Sequence, residues 1–201
     1  MFKILKKNIK IKNKIFLKGH LGNIQLFFID KIFIFPKKIK IFNNNKIIFF
    51  KTSLGLLSLK FPKNINFFIK KNKLLLNFDI NKKKKNMLNL YTKLIKIKIK
   101  GVLQGFKMTL FLKGIGFKSF INNNDLILKL GFSHNIIIPI PTNIKILNKS
   151  NKLIFNGIDY IFLNQFVHYV KNYKKPEPYK GKGFLLKNEK ILQKEGKKSK
   201  K

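Results

Sequence analysis

Four residue types are missing from this chain: cysteine, tryptophan, arginine and alanine. Without cysteine there is no disulfide framework, no thiol nucleophile and no thiolate metal site. Without arginine, all 45 basic residues are lysines, point charges that cannot make the planar bidentate fork of a guanidinium. Acids are scarce as well. Asp30, Asp79, Asp125, Asp159, Glu177, Glu189 and Glu195 are all there are, and no two lie close enough in sequence to suggest a catalytic carboxylate pair. His20, His134 and His168 have no metal-ligand spacing. Gly114-x-Gly116 lacks the third glycine and the following helix of a nucleotide loop. No apolar run approaches the roughly 18 residues that span a bilayer. These absences argue against an enzyme, a cofactor, a metal site and a membrane span.

What is present is charge. Seven acids against 45 lysines leave a formal net charge of +38, and confining that in one compact body is costly unless a polyanion is close by. Nucleic acid is the best fit, acting through phosphate neutralisation rather than base-edge reading. The alternative is a basic, membrane-peripheral or scaffold protein of an organelle, resting on anionic lipid. A hydrophobic fraction of 45% is that of a globular chain with a core. Lysine, asparagine, isoleucine and phenylalanine dominate, and all four have codons made largely of A and T. That bias points to an AT-rich genome, such as an organelle's or an AT-rich microbe's. Met1 to Lys18 is basic but alternating, and lacks the composition of a transit peptide.

Alternating apolar residues separated by Asn, Gly and Pro give a succession of short strands. Ile9 to Leu17 reads as a hairpin, Gly19 to Asn23 as a turn and Ile24 to Ile29 as a strand. Further strands are expected around Ile39–Ile41, Ile47–Lys51, Leu56–Phe61, Ile65–Lys70 and Leu74–Phe78. Phe16-Leu17-Lys18 with its following Leu-Gly and apolar strand echoes Phe49-Phe50-Lys51 thirty-three residues later. A helix is expected from Met87 to about Phe106, with Met87, Leu90, Tyr91, Leu94, Ile95, Val102 and Phe106 on its apolar stripe, although Ile95 to Ile99 alternates like a strand. The second half repeats the pattern: Thr109–Leu112, Ile115–Ile121, Leu126–Leu130, an edge strand Ile136–Ile140 punctuated by Pro139, then Ile144–Leu147 and Leu153–Phe155. Asp159 is a candidate N-cap for a second helix, marked by Ile161, Phe162, Gln165, Phe166, Tyr169 and Val170. The fold class is therefore α+β, with two similar small domains, each an antiparallel sheet covered by one helix. The boundaries are an N-terminal extension 1–35, domains 36–108 and 109–183, and a basic tail 184–201 ordered only on RNA.

The stretch with most chemical character is Lys174-Lys175-Pro176-Glu177-Pro178-Tyr179-Lys180-Gly181-Lys182-Gly183. The prolines stiffen it, Gly181 and Gly183 allow close backbone approach, and four lysines with one tyrosine suit a phosphate backbone. Lys171, at the end of the second helix, extends this strip. Gly131-Phe132-Ser133-His134 reads as a turn with Phe132 in the core and Ser133 and His134 free to donate to phosphate or 2′-hydroxyl groups.

Pro-Glu-Pro-Tyr-Lys-Gly-Lys-Gly at 176–183 resembles the signature of ribosomal protein six of the large subunit, the L-six family. Gly101-Val102-Leu103-Gln104-Gly105-Phe106 is similar to that family's Gly-Val-x-x-Gly-Phe, Gly114-Ile115-Gly116-Phe117-Lys118 to its Gly-Val-Gly-Tyr-Arg/Lys, and Leu130-Gly131-Phe132-Ser133-His134 to its Leu-Gly-Phe-Ser-His. Asn135 stands where a proline usually follows, and Phe184 where an aliphatic does. The resemblance implies a structural constituent of the large subunit, bound to its rRNA near the sarcin–ricin loop, with neighbouring ribosomal proteins and translational GTPases close by. It implies no enzymatic role, no cofactor and no homo-oligomer. With the composition it suggests a mitochondrial matrix ribosome, or alternatively a plastid one. The rRNA-binding residues it implies are Lys171, Lys174, Lys175, Pro176, Pro178, Tyr179, Lys180, Gly181, Lys182 and Gly183, with Lys118, Ser133 and His134.

Overall fold

The computed structural model describes residues 31–34, 36, 38–62, 65–70, 73–78 and 84–196. The expected elements before residue 31, the first copy of the echo and the turn at 71–72 lie outside them. The chain divides into two units, residues 1–103 and 104–201.

The first unit contains β1 (Lys31–Ile34), β2 (Lys40–Asn44), β3 (Ile47–Lys51), β4 (Leu56–Lys60), β5 (Ile65–Lys70), β6 (Lys73–Phe78) and α1 (Lys84–Gln104). β2, β3 and β4 form one antiparallel sheet, and β1, β6 and β5 another. The strand pair β3 and β4 is the second copy of the 33-residue echo. β1 begins before residue 36 and pairs with β6, Lys31 opposite Leu76, so these residues of the expected extension belong to a sheet. The β2–β3 turn puts Asn45 at φ 50°, which asparagine tolerates through its short polar side chain.

The alternation within α1 does not make a strand. Leu88, Thr92, Ile95 and Val102 are buried, a helical seam three, four and seven residues apart. Ile95 and Val102 are buried as the spacing leads one to expect, whereas Met87 and Leu90 of the same stripe are exposed and Leu88 is buried in their place. Phe106, expected on the helix, instead opens the next strand. Thr52 Oγ1 donates to the Val102 carbonyl at 2.7 Å, tying the end of β3 to the last turn of α1.

The second unit contains β7 (Phe106–Lys113), β8 (Lys118–Asn122), β9 (Asp125–Lys129), β10 (Ile136–Pro139), β11 (Ile144–Lys149), β12 (Lys152–Gly157), α2 (Tyr160–Asn172) and β13 (Gly183–Leu186). It has two antiparallel sheets, ordered β11-β12-β7-β13 and β10-β9-β8. β10 is an edge strand, as Pro139 requires. Ile115 is excluded from β8: it sits in the turn between Gly114 and Phe117 and is almost wholly exposed. The two sheets are stitched by Asn148, whose amide donates to the Ser119 carbonyl while its Oδ1 accepts from Ser119 Oγ at 3.1 Å.

Asp159 caps α2, its Oδ1 accepting from the Ile161 N–H at 3.1 Å. α2 buries Leu163, Phe166, Val167 and Val170 against β7 and β12. Each is worth about 1.5–3 kcal/mol relative to exposure. Of the residues that mark this helix in the sequence, Phe166 and Val170 are thus buried, while Ile161, Phe162 and Tyr169 are exposed. The core also takes in Leu110, Leu128, Leu153, Phe155 and Phe184.

Phe184 marks the main correction. The segment from residue 184, expected as a tail ordered only on RNA, begins as β13. It pairs antiparallel with β7, Phe184 opposite Leu112, and Phe184 and Leu185 are buried. Three consecutive apolar residues completing a sheet edge outweigh the lysines around them. The chain then turns back, and the Lys194 N–H donates to the Pro178 carbonyl at 3.1 Å.

Candidate nucleic-acid interface

α2 ends at Asn172, capped by Tyr173, and residues 174–183 follow as a closed loop rather than an open extended strip. The Glu177 N–H donates to the Lys182 carbonyl at 2.8 Å, and the Gly181 N–H to the Glu177 carbonyl at 2.9 Å. The Phe184 N–H donates to the Lys174 carbonyl at 3.0 Å and so closes the base of the loop. These bonds fix the backbone and leave side chains outward: Lys175, Tyr179 and Lys180 are exposed, while Pro176, Pro178, Lys174 and Lys182 are half-buried.

The glycines have separate reasons. Gly181 has φ +66°, a left-handed conformation that glycine adopts without strain. At Gly183 a β-carbon would lie 2.6 Å from the Lys175 carbonyl oxygen and 2.9 Å from that of Lys174. This is the close backbone approach expected from the sequence.

Three motif loops converge on Lys174. Its Nζ lies 4.6 Å from the Phe132 ring centroid and 5.9 Å from that of Phe117. Phe117 in turn lies against Gly114, where a β-carbon would fall 2.4 Å from the ring, and within 3.4 Å of a β-carbon placed at Gly131. The glycines at 114 and 131 thus leave room for Phe117, and the two phenylalanines hold the ammonium by cation–π attraction. Phe132 is accordingly not in the core; its half-exposed ring faces Lys174. Ser133 and His134, in the same turn, are exposed, with Oγ 3.5 Å from Nδ1. Lys118, at the start of β8 beside Phe117, is exposed too.

Lys171 is the exception among the expected residues. Its Nζ is 2.5 Å from Glu189 Oε1, with only 14% of the lysine side chain exposed. Glu189 Oε2 accepts from the Leu186 N–H at 3.1 Å. The Lys171 hydrogen bond, helped by that N–H and opposed by partial burial, holds the Glu189 carboxyl below the usual carboxylate range. The pair therefore latches the segment after β13 onto the end of α2. On either side of Lys171, the Tyr169 hydroxyl bonds that of Tyr173 at 2.5 Å and, together with burial, raises the pKa of the Tyr173 phenol. Sequence reasoning missed Glu189 and the partners of Lys174. The first gave no signal beyond being one of seven acids. The second was carried by the two aromatic residues inside glycine motifs.

Around the loop the chemistry is that of lysine cations, one exposed tyrosine, one exposed carboxylate at Glu177 and the polar groups of Ser133 and His134. Among the described residues no group of three His, Cys, Asp or Glu could hold a metal ion. No helix among them is long and apolar enough to cross a membrane.

The family model described as Ribosomal protein L6 matches residues 35–105 and 113–186, a segment in each unit. The large ribosomal subunit protein uL6 of Karelsulcia muelleri is 37% identical over 188 residues, spanning 90% of this chain and 100% of the relative. That of Mycoplasmoides gallisepticum is 33% identical over 172 residues, spanning 84% and 94% respectively. That of Mycoplasma capricolum is 36% identical over 162 residues, spanning 80% and 89%.

Proposed function

The chain belongs to the ribosomal protein L6 family, and from that premise we propose that its second unit binds large-subunit rRNA through the loop 174–183. As a member of that family it is a structural protein of the large ribosomal subunit and not an enzyme. The observation that carries the rRNA site is the convergence of the loops at 114–118 and 131–134 on Lys174, beside a hydrogen-bonded loop presenting Lys175, Tyr179, Lys180 and Lys182. Lysines carried on a backbone already held by hydrogen bonds meet phosphates at a lower ordering cost than those of an open strip, and Tyr179 offers a ring for stacking or a 2′-hydroxyl contact. Pro176, Pro178, Gly181 and Gly183 shape the loop, and Lys118, Ser133 and His134 border it. Lys171 is assigned to the latch with Glu189 instead of to RNA. The target is the rRNA near the sarcin–ricin loop, with translational GTPases docking nearby and other large-subunit proteins as neighbours. The chain acts as a single copy.

Replacing Lys180 and Lys182 with alanine tests the site. The expected result is weaker rRNA binding and a salt dependence flattened by about 0.7–0.9 in log–log slope per lost phosphate contact. Unchanged affinity and slope would remove the loop from the interface.

The compartment is proposed from composition. A mitochondrial ribosome, or a plastid one, suits an AT-driven residue usage. The relatives compared above are bacterial, which favours as a second reading a bacterial cell with a strongly AT-rich genome. Sequencing outward from the gene decides between them, since respiratory-chain genes on a small circular molecule or a bacterial chromosome would flank it.

A further inference from the structure

The outward face of the β2-β3-β4 sheet is a second surface that the loop 174–183 leaves unexplained. Strand alternation puts Lys40, Phe42 and Asn44 of β2 on this side. The buried residues Ile48, Phe50 and Leu59 point the other way. Register then sets Lys40 directly opposite Lys51 and Phe42 directly opposite Phe49. The two phenylalanines are stacked, with centroids 5.1 Å apart and planes 11° from parallel. Phe42 keeps 45% of its surface exposed.

Two features of this face are unfavourable in a sheet left to itself. An exposed aromatic stack keeps apolar surface in water, and directly opposed like charges destabilise a strand pair. No acid occurs anywhere between Asp30 and Asp79 in the sequence, so the sheet contains none to offset Lys40 and Lys51. Both features are relieved by one kind of occupant. An unstacked base laid on the Phe42–Phe49 pair extends an existing near-parallel stack, and its phosphate reaches the lysine row two residues along the strands, roughly 7 Å away.

We propose that the outward face of the β2-β3-β4 sheet is a stacking platform for a single-stranded RNA segment, with Phe42 and Phe49 receiving a base and Lys40 and Lys51 its phosphate. The proposal rests on the rRNA reading above and adds a contact through the first unit. Single-stranded or looped RNA is the partner because duplex bases are already stacked on one another. An acidic protein segment would satisfy the lysines but would make no use of a planar ring pair, and an anionic membrane would favour aliphatic side chains as readily as stacked rings.

The test uses the full chain and a fluorescein-labelled unstructured oligoadenylate, with anisotropy as the readout. Phe42→Leu keeps apolar bulk and removes the ring, and Phe42→Tyr restores it. Phe42→Leu is expected to weaken binding about five- to tenfold without changing the salt slope, and Phe42→Tyr to bind as the parent does. Ultraviolet crosslinking is expected to leave a nucleotide adduct on the peptide carrying Phe42 or Phe49. Parental affinity for Phe42→Leu, with adducts only elsewhere, would overturn the platform. If K180A/K182A still weakens binding in that case, the rRNA reading stands while this surface falls. Loss of vesicle binding by Phe42→Leu, with RNA binding intact, would assign the face to lipid and also overturn the proposal.

Discussion

Gly183→Ala is the sharpest test of how the loop is held. Gly183 has φ +134°, where a side chain is strained, and its β-carbon would stand 2.6 Å and 2.9 Å from two backbone carbonyl oxygens. Backbone cannot swing aside as a flexible side chain would. One of these carbonyls, that of Lys174, also accepts the Phe184 N–H that closes the loop. The substitution should therefore cost strain of about 1–2 kcal/mol, a weakened hydrogen bond of about 1 kcal/mol, and some packing around the buried Phe184 ring. A total of about 3 kcal/mol in a unit of this size corresponds to a melting temperature lower by roughly 12–24 °C. Gly116→Ala is the control. Gly116 has φ +78° but nothing within 4 Å of its added carbon, so only the strain of about 1 kcal/mol applies, roughly 4–8 °C. Thermal unfolding followed by tyrosine fluorescence is suited to the comparison, because Tyr160, Tyr169, Tyr173 and Tyr179 lie in the second unit against Tyr91 alone in the first. Equal melting temperatures for the two variants would refute the close approach of residues 174 and 175 to Gly183.

Asp159→Ala removes the cap of α2 and should cost the second unit about 1 kcal/mol, read by urea denaturation. The Lys171–Glu189 latch predicts a pH dependence. Because the folded Glu189 carboxyl is held below its ordinary value, chiefly by the Lys171 hydrogen bond, its stabilisation is present above the unfolded carboxylate range. That stabilisation fades as pH falls through the lowered folded value. Glu189→Gln should lower stability at neutral pH by about 1 kcal/mol and remove that part of the acid-side loss. A variant whose difference from the parent stays constant from neutral to acid pH would contradict it.

Much of this fold was legible because turns and short strands write themselves locally. Asn45 and Asn123 take positive φ in two-residue turns, Pro139 sits on an edge, and Asp159 caps its helix, each through a preference that needs no distant partner. The helix faces were read only in part, with Ile95, Val102, Phe166 and Val170 buried as expected, and the rest was missed for a compositional reason. In a chain so rich in Ile, Leu, Phe and Lys, apolar residues occur on every side of a helix, and several phases fit the spacing equally well. Leu88 and Leu163 were passed over in favour of neighbours one or two positions away. Phe184-Leu185-Leu186 was hidden by the lysines around it, since only the bare edge of β7 makes that triplet a strand. The glycine motifs pointed to the stretches of chain that make up the proposed interface. What they could not convey was that Lys174 lies over Phe132 and Phe117, or that Lys171 faces Glu189, because both are meetings of segments distant in sequence.

The central claim is that this chain works as a piece of the large ribosomal subunit, held there by RNA. Sedimentation of a lysate through a gradient, with and without ribonuclease, tests it directly. The account predicts that the chain co-migrates with the large subunit and leaves that position after extensive digestion. A slow-sedimenting or membrane-associated pool that ribonuclease does not change would contradict it.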